Sequence, residues 1–325
     1  MSERVVQSAP VADGVAGATR ETAETARLVE QAERAFMADA ARKVTHDPSP
    51  DATPDGDAEV VENPDETRGA ATAAAPPAAL IVVVPAFNEE ATVASVAAAL
   101  PRVIHGMTTA TLVMDDGSTD HTATEAERAG AMVCSLAQNV GQGVVLRLGY
   151  RLASRLGASY IATADADGQF DPAELPQLLE PIVAGEADFV NGSRRLGSNR
   201  QADPVRRLGV VVFGSLLSVL TGVRVTDPSN GLRAWRVEVT DTVPLRQTQY
   251  QTAELLIRTI AYGFRVKEVP ATMYERTAGH SKKGRNWRYA LRFARVIVMT
   301  WWEERQRIGG LVLARRAGPS PPAQR

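Results

Sequence analysis

The sequence predicts an α/β fold in which a mostly parallel sheet is flanked by helices. First, short apolar runs rich in β-branched residues alternate with helical stretches from residue 79 onward, which is typical of a parallel sheet covered on both faces. Second, five of these runs are followed by polar clusters: PAFNEE, DDGSTD, QNVGQG, DADGQ and NGSRR. Because ligands of such sheets bind beyond the carboxyl ends of the strands, we expect these clusters to form one site.

The same pattern sets the order of the elements. We expect strands at residues 79–85, 111–116, 131–136, 160–165 and 187–192, and helices at residues 89–100, 122–129, 144–156 and 173–183. The first run, ALIVVVP, is apolar at every position, which predicts a strand buried on both faces.

Composition limits the class of protein. The 325 residues leave room for one large domain or two small ones, and 44% hydrophobic residues is ordinary for a globular chain. A net charge of -2 gives no reason to expect nucleic acid as a partner. Cys134 is the single cysteine, so we expect no internal disulfide and no cysteine-rich metal site, and a reducing cytoplasm fits this.

Two apolar segments bear on membrane contact. The segment LGVVVFGSLLSVLTGV is short and interrupted by serine and glycine, so we interpret it as a buried or interfacial helix and not as a bilayer span. Near the C-terminus, RNWRYALRFARVIVMTWWEERQR places tryptophans among arginines. This pattern fits a membrane-surface helix and equally a helix packed on its own domain. The N-terminal MSERVVQSAPVADG lacks an apolar core, so we expect no secretory signal.

The DADGQ cluster is the strongest candidate for a metal site. Asp165, Asp167 and Gln169 would point the same way on an extended loop, because side chains alternate. Their oxygens suit Mg2+ or Mn2+, which usually keep waters and substrate phosphates as further ligands. The alternative is a surface turn that caps a helix, because aspartate is common in turns. Its place after a buried strand, among four other polar strand ends, favours the metal.

Two further clusters narrow the ligand. Asp115 and Asp116 precede the turn of DDGSTD, where an acid can accept from a base N–H or a ribose hydroxyl, while Ser118, Thr119 or Asp120 caps the next helix. The glycines of NVGQG do not form GxGxxG after the first strand, and the chain has no GxxxxGK[ST] motif. The sequence therefore argues against a dinucleotide-binding fold and a phosphate-loop NTPase.

Cationic and acidic side chains complete the set of candidates. Four cations could neutralise a diphosphate or a phosphate acceptor, although each alone is more often a solvated surface charge; they are Arg194, Arg206, Arg276 and Lys282. Glu254, at the start of an apolar helix, could act in catalysis, position an acceptor or be merely helical. His280 is a lone loop histidine and a second candidate base.

Seven motifs in this order resemble the family 2 glycosyltransferases: VVVPAFNEEATV, VMDDGSTDHT, NVGQG, DADGQFDP, NGSRR, DPSNGLRAWR and RTAGHSKK. The resemblance covers residues 79–305 and is nearest to the dolichol-phosphate mannose synthase and polyprenyl-phosphate glycosyltransferase branch. It implies the GT-A fold, a Rossmann-like, mixed and mostly parallel sheet flanked by helices, with amphipathic C-terminal helices. Two departures are Gln142, where the family often has lysine, and DPSNGLRA in place of DPxSGF.

The resemblance implies roles for individual residues. Those expected to line the nucleoside are Pro85, Phe87, Glu89, Met114 and Asp116. Those expected to hold the metal and the diphosphate are Asp165, Ala166, Asp167 and Gln169. Those expected to face phosphates are Arg194, Arg206, Arg276 and Lys282. Together with the candidate Glu254 from the sequence itself, we expect Asp167 and Arg194 to form the catalytic set.

The implied reaction is an inverting, metal-dependent transfer of a sugar from GDP-mannose or a UDP-hexose to a polyprenyl phosphate. A metal would stabilise charge on the leaving diphosphate, and a phosphate acceptor needs no strong base. A second hypothesis is transfer to a saccharide or small-molecule hydroxyl, for which Glu254 would be the base. A third is a catalytically silent scaffold, which the intact DADGQ cluster argues against.

The domain organisation follows. We expect a disordered acidic and alanine-rich extension at 1–77, with one lone helix within 24–43, and a catalytic domain at 78–275. A basic loop and an amphipathic membrane-interface helix would occupy 276–310, followed by a disordered tail at 311–325. Through this helix the protein would lie on the inner face of the cell membrane, in the cytoplasm.

Overall fold

The structure, a computed structural model, describes residues 22–45, 79–199, 204–275 and 286–317. The strands are β1 (Leu80–Ala86), β2 (Val103–Ile104), β3 (Met107–Asp115), β4 (Met132–Ser135), β5 (Tyr160–Thr163), β6 (Phe189–Asn199), β7 (Arg233–Arg236) and β8 (Val266–Met273). The helices are α1 (Ala23–Thr45), α2 (Val93–Ala99), α3 (Thr122–Arg128), α4 (Gln142–Arg155), α5 (Leu175–Val183), α6 (Pro204–Thr221), α7 (Val237–Thr242), α8 (Gln251–Ala261) and α9 (Asn286–Ala317). A 3-10 turn, Pro172–Glu174, precedes α5.

The described strands form one mixed sheet in the order β2-β3-β1-β5-β7-β6-β8, with β4 also paired to β3. The pairs β1–β3, β1–β5, β3–β4 and β6–β8 are parallel, whereas β7 runs antiparallel to both of its neighbours. The carboxyl ends of β1, β3, β4, β5, β6 and β8 therefore lie at one edge. This confirms the predicted mixed, mostly parallel sheet.

The sheet is buried on both faces, as the first apolar run predicts. Along β1, Ile81 and Val83 join the core beneath α4, α8 and α9, while Val82 and Val84 join a second core that includes α2 and α5. Alternate side chains of one strand thus feed two cores, which requires apolar residues at every position. Each strand predicted from the sequence is present.

Three segments depart from the predicted elements. β6 continues to Asn199, past the predicted end at 192, because it stays paired with β8 through an irregularity between Ser193 and Ser198. β7 and β8 were not predicted. β7 has only four residues, with arginine at both ends, and β8 contains Pro270 and alternating charges, so neither shows a continuous apolar run.

The N-terminal helix differs from the prediction of a disordered extension. Val29, Ala32 and Phe36 of α1 are buried in the core cluster shared with α4 and β4. Glu33 lies 2.9 Å from Arg151 Nη2 and 2.8 Å from Arg155 Nη1 on α4. The helix is therefore packed on the domain and is not a lone helix. The rest of 1–77 lies outside the described residues, so disorder there stays a prediction.

The helices α6 and α9 pack together and present apolar side chains outward. Phe213 of α6 contacts Phe293 of α9 with a ring separation of 4.9 Å. Their outer faces expose large apolar residues, namely Val205, Leu208, Val212 and Val219 on α6 and Trp287, Leu291, Val298 and Trp302 on α9. α9 runs to Ala317, past the predicted boundary at 310. Within the described residues, none of the helices has the length and apolarity that crossing a membrane demands.

Candidate active site

A small, partly enclosed cavity, here called the cleft, lies at the edge of the sheet where the parallel strands end. Its lining comes from β1, α4, the end of β5 and the loop after it, the start of β7 and the turn before it, and α8. The lining residues are Pro85, Gln142, Leu146, Tyr150, Thr163, Asp165, Gly231, Arg233, Thr252 and Leu255. This is the edge at which the sequence predicts that the polar clusters converge.

Asp165 lies at this cleft, two residues beyond the end of β5. It is half-buried, and its carboxylate accepts no hydrogen bond from the residues that the structure describes. Gly231 packs directly beneath it, since a Cβ at position 231 would lie 2.6 Å from Asp165 Oδ2. A half-buried carboxylate that has no donor among the described residues has oxygens available to a cation or a ligand.

Asp167 and Gln169 fix the rest of the loop. The buried Asp167 accepts the Gln169 backbone N–H on Oδ1 at 3.1 Å, and Gly168 between them has a φ of 69°. Gln169 donates through Nε2 to the carbonyl of Tyr274 at 3.1 Å, and its own carbonyl accepts Tyr274 N at 2.8 Å. Gln169 therefore ties the loop to the end of β8, and its role as a metal ligand stays a prediction.

The oxygen donors fit a divalent cation only if a ligand completes its shell. Asp165 and Asp167 supply carboxylate oxygens, which Mg2+ and Mn2+ prefer. Among the described residues, no group of three or more His, Cys, Asp or Glu side chains gathers at one point. Such a pair suits a cation that takes its remaining oxygens from phosphates and water.

The two aspartates at the end of β3 accept hydrogen bonds from different segments of the backbone. Asp115 accepts Ser118 N at 3.0 Å and so closes the turn. Asp116 accepts Val140 N at 2.7 Å and Gly141 N at 3.0 Å, which joins this strand end to the start of α4. Burial raises the pKa of Asp116 to about 6, although both backbone N–H groups oppose the shift.

The loop after β1 is fastened to the turn after β3. Asn88 N donates to Ser118 Oγ at 2.9 Å, and Glu89 N donates to Thr122 Oγ1 at 2.8 Å. Phe87 and Glu89 are half-exposed in this loop, and Pro85 lines the cleft itself. The segments expected to hold a nucleoside are thus neighbours, as the sequence predicts.

Met114 and Ala166 do not present side chains to the cleft. Met114 is fully buried, and a Cβ at Gly149 of α4 would lie 2.9 Å from its Cγ. Ala166 is buried in the opposite core. Because both side chains are buried in the two cores, only the backbone groups of these residues could reach a ligand in the cleft.

Arg194 is engaged inside the protein. Its Nε lies 2.6 Å from Asp227 Oδ2, and its Nη2 lies 2.7 Å from Asp227 Oδ1 and 2.6 Å from Ser229 Oγ. This fork-like pairing secures the DPSN turn to β6. The sequence does not reveal this partner, because Asp227 lies 33 residues away. The predicted contact of Arg194 with a phosphate stays a prediction.

The side chains of the other three predicted cations lie outside the part of the chain that the structure describes. The side chain of Arg206, on α6, is outside the described part of the structure. Arg276, Lys282 and the candidate base His280 fall in residues 276–285, which the structure does not describe. Their roles remain predictions.

Glu254 has the geometry of a structural carboxylate. Its exposed fraction is 0%, and it accepts Arg246 N at 2.8 Å and Gln247 N at 2.9 Å. Burial raises its pKa, while these N–H groups and Arg258 oppose the shift. Both carboxylate oxygens of Glu254 are thus occupied by backbone N–H groups in this structure. Its predicted role as a general base stays a prediction.

Arg233 is a lining residue that sequence reasoning missed. It is fully buried and donates to three backbone carbonyls: Asn230 at 2.8 Å, Pro228 at 2.8 Å and Thr252 at 2.5 Å. Its burial lowers its pKa to about 10. The apolar neighbours in NGLRAW were the only local signal that this arginine faces inward.

The family model described as "Glycosyl transferase family 2" matches residues 81–243, which spans β1 to the end of α7. The chain belongs to glycosyl transferase family 2. The match covers the strand ends that form the cleft, and it confirms both the family predicted from the seven motifs and the assignment as a glycosyltransferase.

Several named relatives are about one-third identical to this family 2 chain over the aligned residues. Polyprenol monophosphomannose synthase of Mycolicibacterium smegmatis is 33% identical over 222 residues, 64% of this chain and 82% of the relative. Dolichyl-phosphate hexose transferase of Haloferax volcanii is 33% identical over 196 residues, 60% and 82% of the two chains. Undecaprenyl-phosphate mannosyltransferase of Micrococcus luteus is 32% identical over 182 residues, 53% and 74%.

A solved structure shares the fold. Glucosyl-3-phosphoglycerate synthase of Mycobacterium tuberculosis, crystallised with Mn2+, UDP and glucosyl-3-phosphoglycerate, superposes with a TM-score of 0.55 and is 24% identical, covering 70% of this chain and 80% of that one. At this identity the likeness shows the fold, and it confirms the predicted GT-A architecture.

Proposed function

We propose that this family 2 glycosyltransferase moves a hexose from a nucleotide sugar, GDP-mannose or a UDP-hexose, to a polyprenyl phosphate at the cytoplasmic face of a membrane. The observation that carries the proposal is the pairing of two features. One is the cleft at Asp165, and the other is the exposed apolar face of α6 and α9. The relatives named for dolichyl, undecaprenyl and polyprenol phosphates support the same acceptor class.

The donor half of the proposal rests on the strand ends. Asp116, held by Val140 N and Gly141 N, keeps lone pairs that can accept from a base N–H or a ribose hydroxyl. Asp165 and Asp167 would hold a divalent cation, Mg2+ or Mn2+. When bound, such a cation neutralises the diphosphate and stabilises the charge on the leaving group.

The acceptor half of the proposal rests on the fact that a phosphate acceptor needs no strong general base from the protein. A lipid phosphate is already anionic at neutral pH, so it can attack the anomeric carbon in line without a strong general base. The burial of Glu254 agrees with this acceptor better than with a hydroxyl. Attack on the face opposite the leaving diphosphate would invert the configuration at that carbon.

The membrane half rests on α6 and α9. Leu208 and Val219 on α6 are 63% and 82% exposed, and Trp302 on α9 is 58% exposed. Arg305 lies over the Trp302 ring at 4.1 Å from its centroid. Apolar and tryptophan side chains bordered by arginines suit the headgroup region of an anionic membrane. A polyprenyl acceptor would be presented from that surface.

The deciding experiment follows radiolabelled sugar into organic-extractable lipid. GDP-mannose, UDP-glucose and UDP-N-acetylglucosamine are offered with added polyprenyl phosphate and Mn2+ or Mg2+, with and without chelator. We expect lipid label from one donor, lost with chelator and in Asp167→Ala, but kept in Glu180→Ala, an exposed carboxylate on α5. Label that appears only in a water-soluble product would move the function to a hydroxyl acceptor, and no transfer from any donor would refute the proposal.

A further inference from the structure

The helices α8 and α9 are joined by a buried ion cluster that the proposed chemistry does not use. The side chain of Arg258 on α8 is 2% exposed and lies 2.7 Å from Glu304 Oε1 and 2.5 Å from Glu303 Oε2 on α9. Its Nε lies 3.3 Å from Glu254 Oε1, an ion-pair distance without the alignment of a hydrogen bond. Glu303 is 41% exposed, but Glu254 and Glu304 are buried with Arg258. Because buried charges are costly unless each is paired, these three form a specific internal ion cluster and not solvated surface charge.

The inner end of the cluster holds a backbone segment. Both oxygens of Glu254 are used, since Oε1 accepts Arg246 N at 2.8 Å and Oε2 accepts Gln247 N at 2.9 Å. A buried carboxylate that accepts two N–H groups fixes the path of the chain at both residues. The segment formed by residues 246–248 is therefore positioned by Glu254.

The other side of this segment contacts the start of α4. The Gln247 carbonyl accepts Arg147 Nη1 at 2.6 Å, and the Thr248 carbonyl accepts Gly143 N at 2.8 Å. A Cβ at Gly141 would already lie 3.0 Å from Thr248 O, and at Gly143 there is no space for one. Segment 246–248 thus fixes the first turn of α4, which carries Gln142 into the cleft beside Asp165.

A second contact ties the same region to α9. Tyr250, directly before α8, has a left-handed φ of 58°, which is unusual for a residue with a bulky side chain. Its ring packs at 5.0 Å from Tyr289 and 5.9 Å from Phe293, both on α9. The helix α9 therefore holds residues 246–250 through this aromatic contact and through the ion cluster.

We propose that Glu254 and Arg258 are positioning residues for the donor nucleotide. They hold segment 246–248 against α4 and thereby set the wall of the cleft, so nucleotide affinity depends on how α9 is seated. The identity of the ligand as a nucleoside diphosphate rests on the proposed function. Neither residue touches the ligand, and each acts through the backbone that it holds.

The test measures UDP and GDP binding by titration calorimetry in the presence of Mn2+, for the full chain. Glu254→Gln keeps the shape but turns an amide N–H towards a backbone N–H, and Glu304→Gln weakens the cluster from α9. We expect each to raise the Kd of the nucleotide by about tenfold or more, and to raise the donor KM while the lipid-acceptor KM stays unchanged.

A matched control separates positioning from general stability. Asp188→Asn alters another carboxylate that accepts a backbone N–H, Arg265 N at 2.8 Å, and pairs with an arginine at the far edge of the sheet. We expect it to lower the melting temperature without changing nucleotide Kd. Thermal melts confirm that all variants are folded at the assay temperature, and Glu304→Gln provides the test if Glu254→Gln does not fold.

The outcomes separate this inference from the proposed function. If the wild type binds UDP or GDP and both variants bind it within about twofold of wild type, the positioning role is refuted. A loss of affinity in Asp188→Asn equal to that in Glu254→Gln would also overturn it, because stability alone would then explain the effect. A wild type that binds neither nucleotide refutes the proposed function itself and the inference that rests on it.

Discussion

Gly231→Ala is the substitution that most directly tests the cleft. A Cβ at position 231 would lie 2.6 Å from Asp165 Oδ2 and 2.9 Å from its Cγ. Ordinary contact begins at 3.4 Å, so the carboxylate must retreat by about 0.8 Å. Because Asp165 is half-buried and hinged at its side chain, it can move at little cost to folding. The free energy of unfolding should change by about 1 kcal/mol or less.

The same retreat should be costly for catalysis. A displacement near 1 Å in a reacting group can lower rates by about 100-fold, so we expect kcat/KM for sugar transfer to fall about 10- to 100-fold and the metal concentration for half-activity to rise. The assay is lipid-linked label against donor and Mn2+ concentration, with calorimetry for stability. Gly310→Ala, where a Cβ meets nothing within 4 Å, is the control for the exchange itself. A folded Gly231→Ala enzyme with wild-type kcat/KM and metal dependence would show that Asp165 is not a ligand-holding group.

Three further predictions concern acid, membrane and packing. Burial raises the pKa of Asp116 to about 6, so protonation below that pH removes the anionic acceptor. The diphosphate diester of a nucleotide sugar does not titrate in this range, so we expect the Kd of the nucleotide sugar in calorimetric titrations to rise as pH falls through about 6. A Kd that does not change over this range would show that Asp116 does not bind the nucleoside. Leu208→Glu should lower partitioning to anionic vesicles by about 30-fold in co-sedimentation, because burying a leucine is worth about 2 kcal/mol. Val103→Glu, at a similarly exposed site on β2, should leave partitioning unchanged, and equal losses in the two variants would speak against an α6 surface. Phe36→Ala should cost about 3 kcal/mol in urea unfolding, and Glu30→Ala almost nothing; an unchanged midpoint for Phe36→Ala would mean that α1 does not stabilise the domain.

Local pattern was enough to place the strand ends and their motifs. β1, β3, β4 and β5 were predictable because a strand buried on both faces must be apolar at successive positions. The polar clusters follow these strands directly, so a parallel sheet brings them to one edge without further information. For this reason the sequence was enough to place Asp116 and Asp165 at the same edge of the sheet.

Contacts between distant segments were beyond local pattern. β7 is a strand because four residues pair with β5 and β6, and its arginine is buried because carbonyls of residues 228, 230 and 252 surround it. The partner of Arg194 likewise lies 33 residues away, at Asp227. Side-chain type alone does not tell whether a charge meets a ligand, solvent or another charge.

The sequence by itself determined the α/β class, the family and the strand ends that carry the cleft, because each depends on residues adjacent in the chain. Only the tertiary structure decided that Glu254 is buried beneath segment 246–247, that Arg194 is paired with Asp227, and that α1 packs on the domain. Each of these outcomes depends on which surfaces meet after the chain has folded. Burial and pairing then determine whether a charged side chain can bind a ligand or exchange a proton, and neither can be predicted from the residues adjacent to it in the sequence.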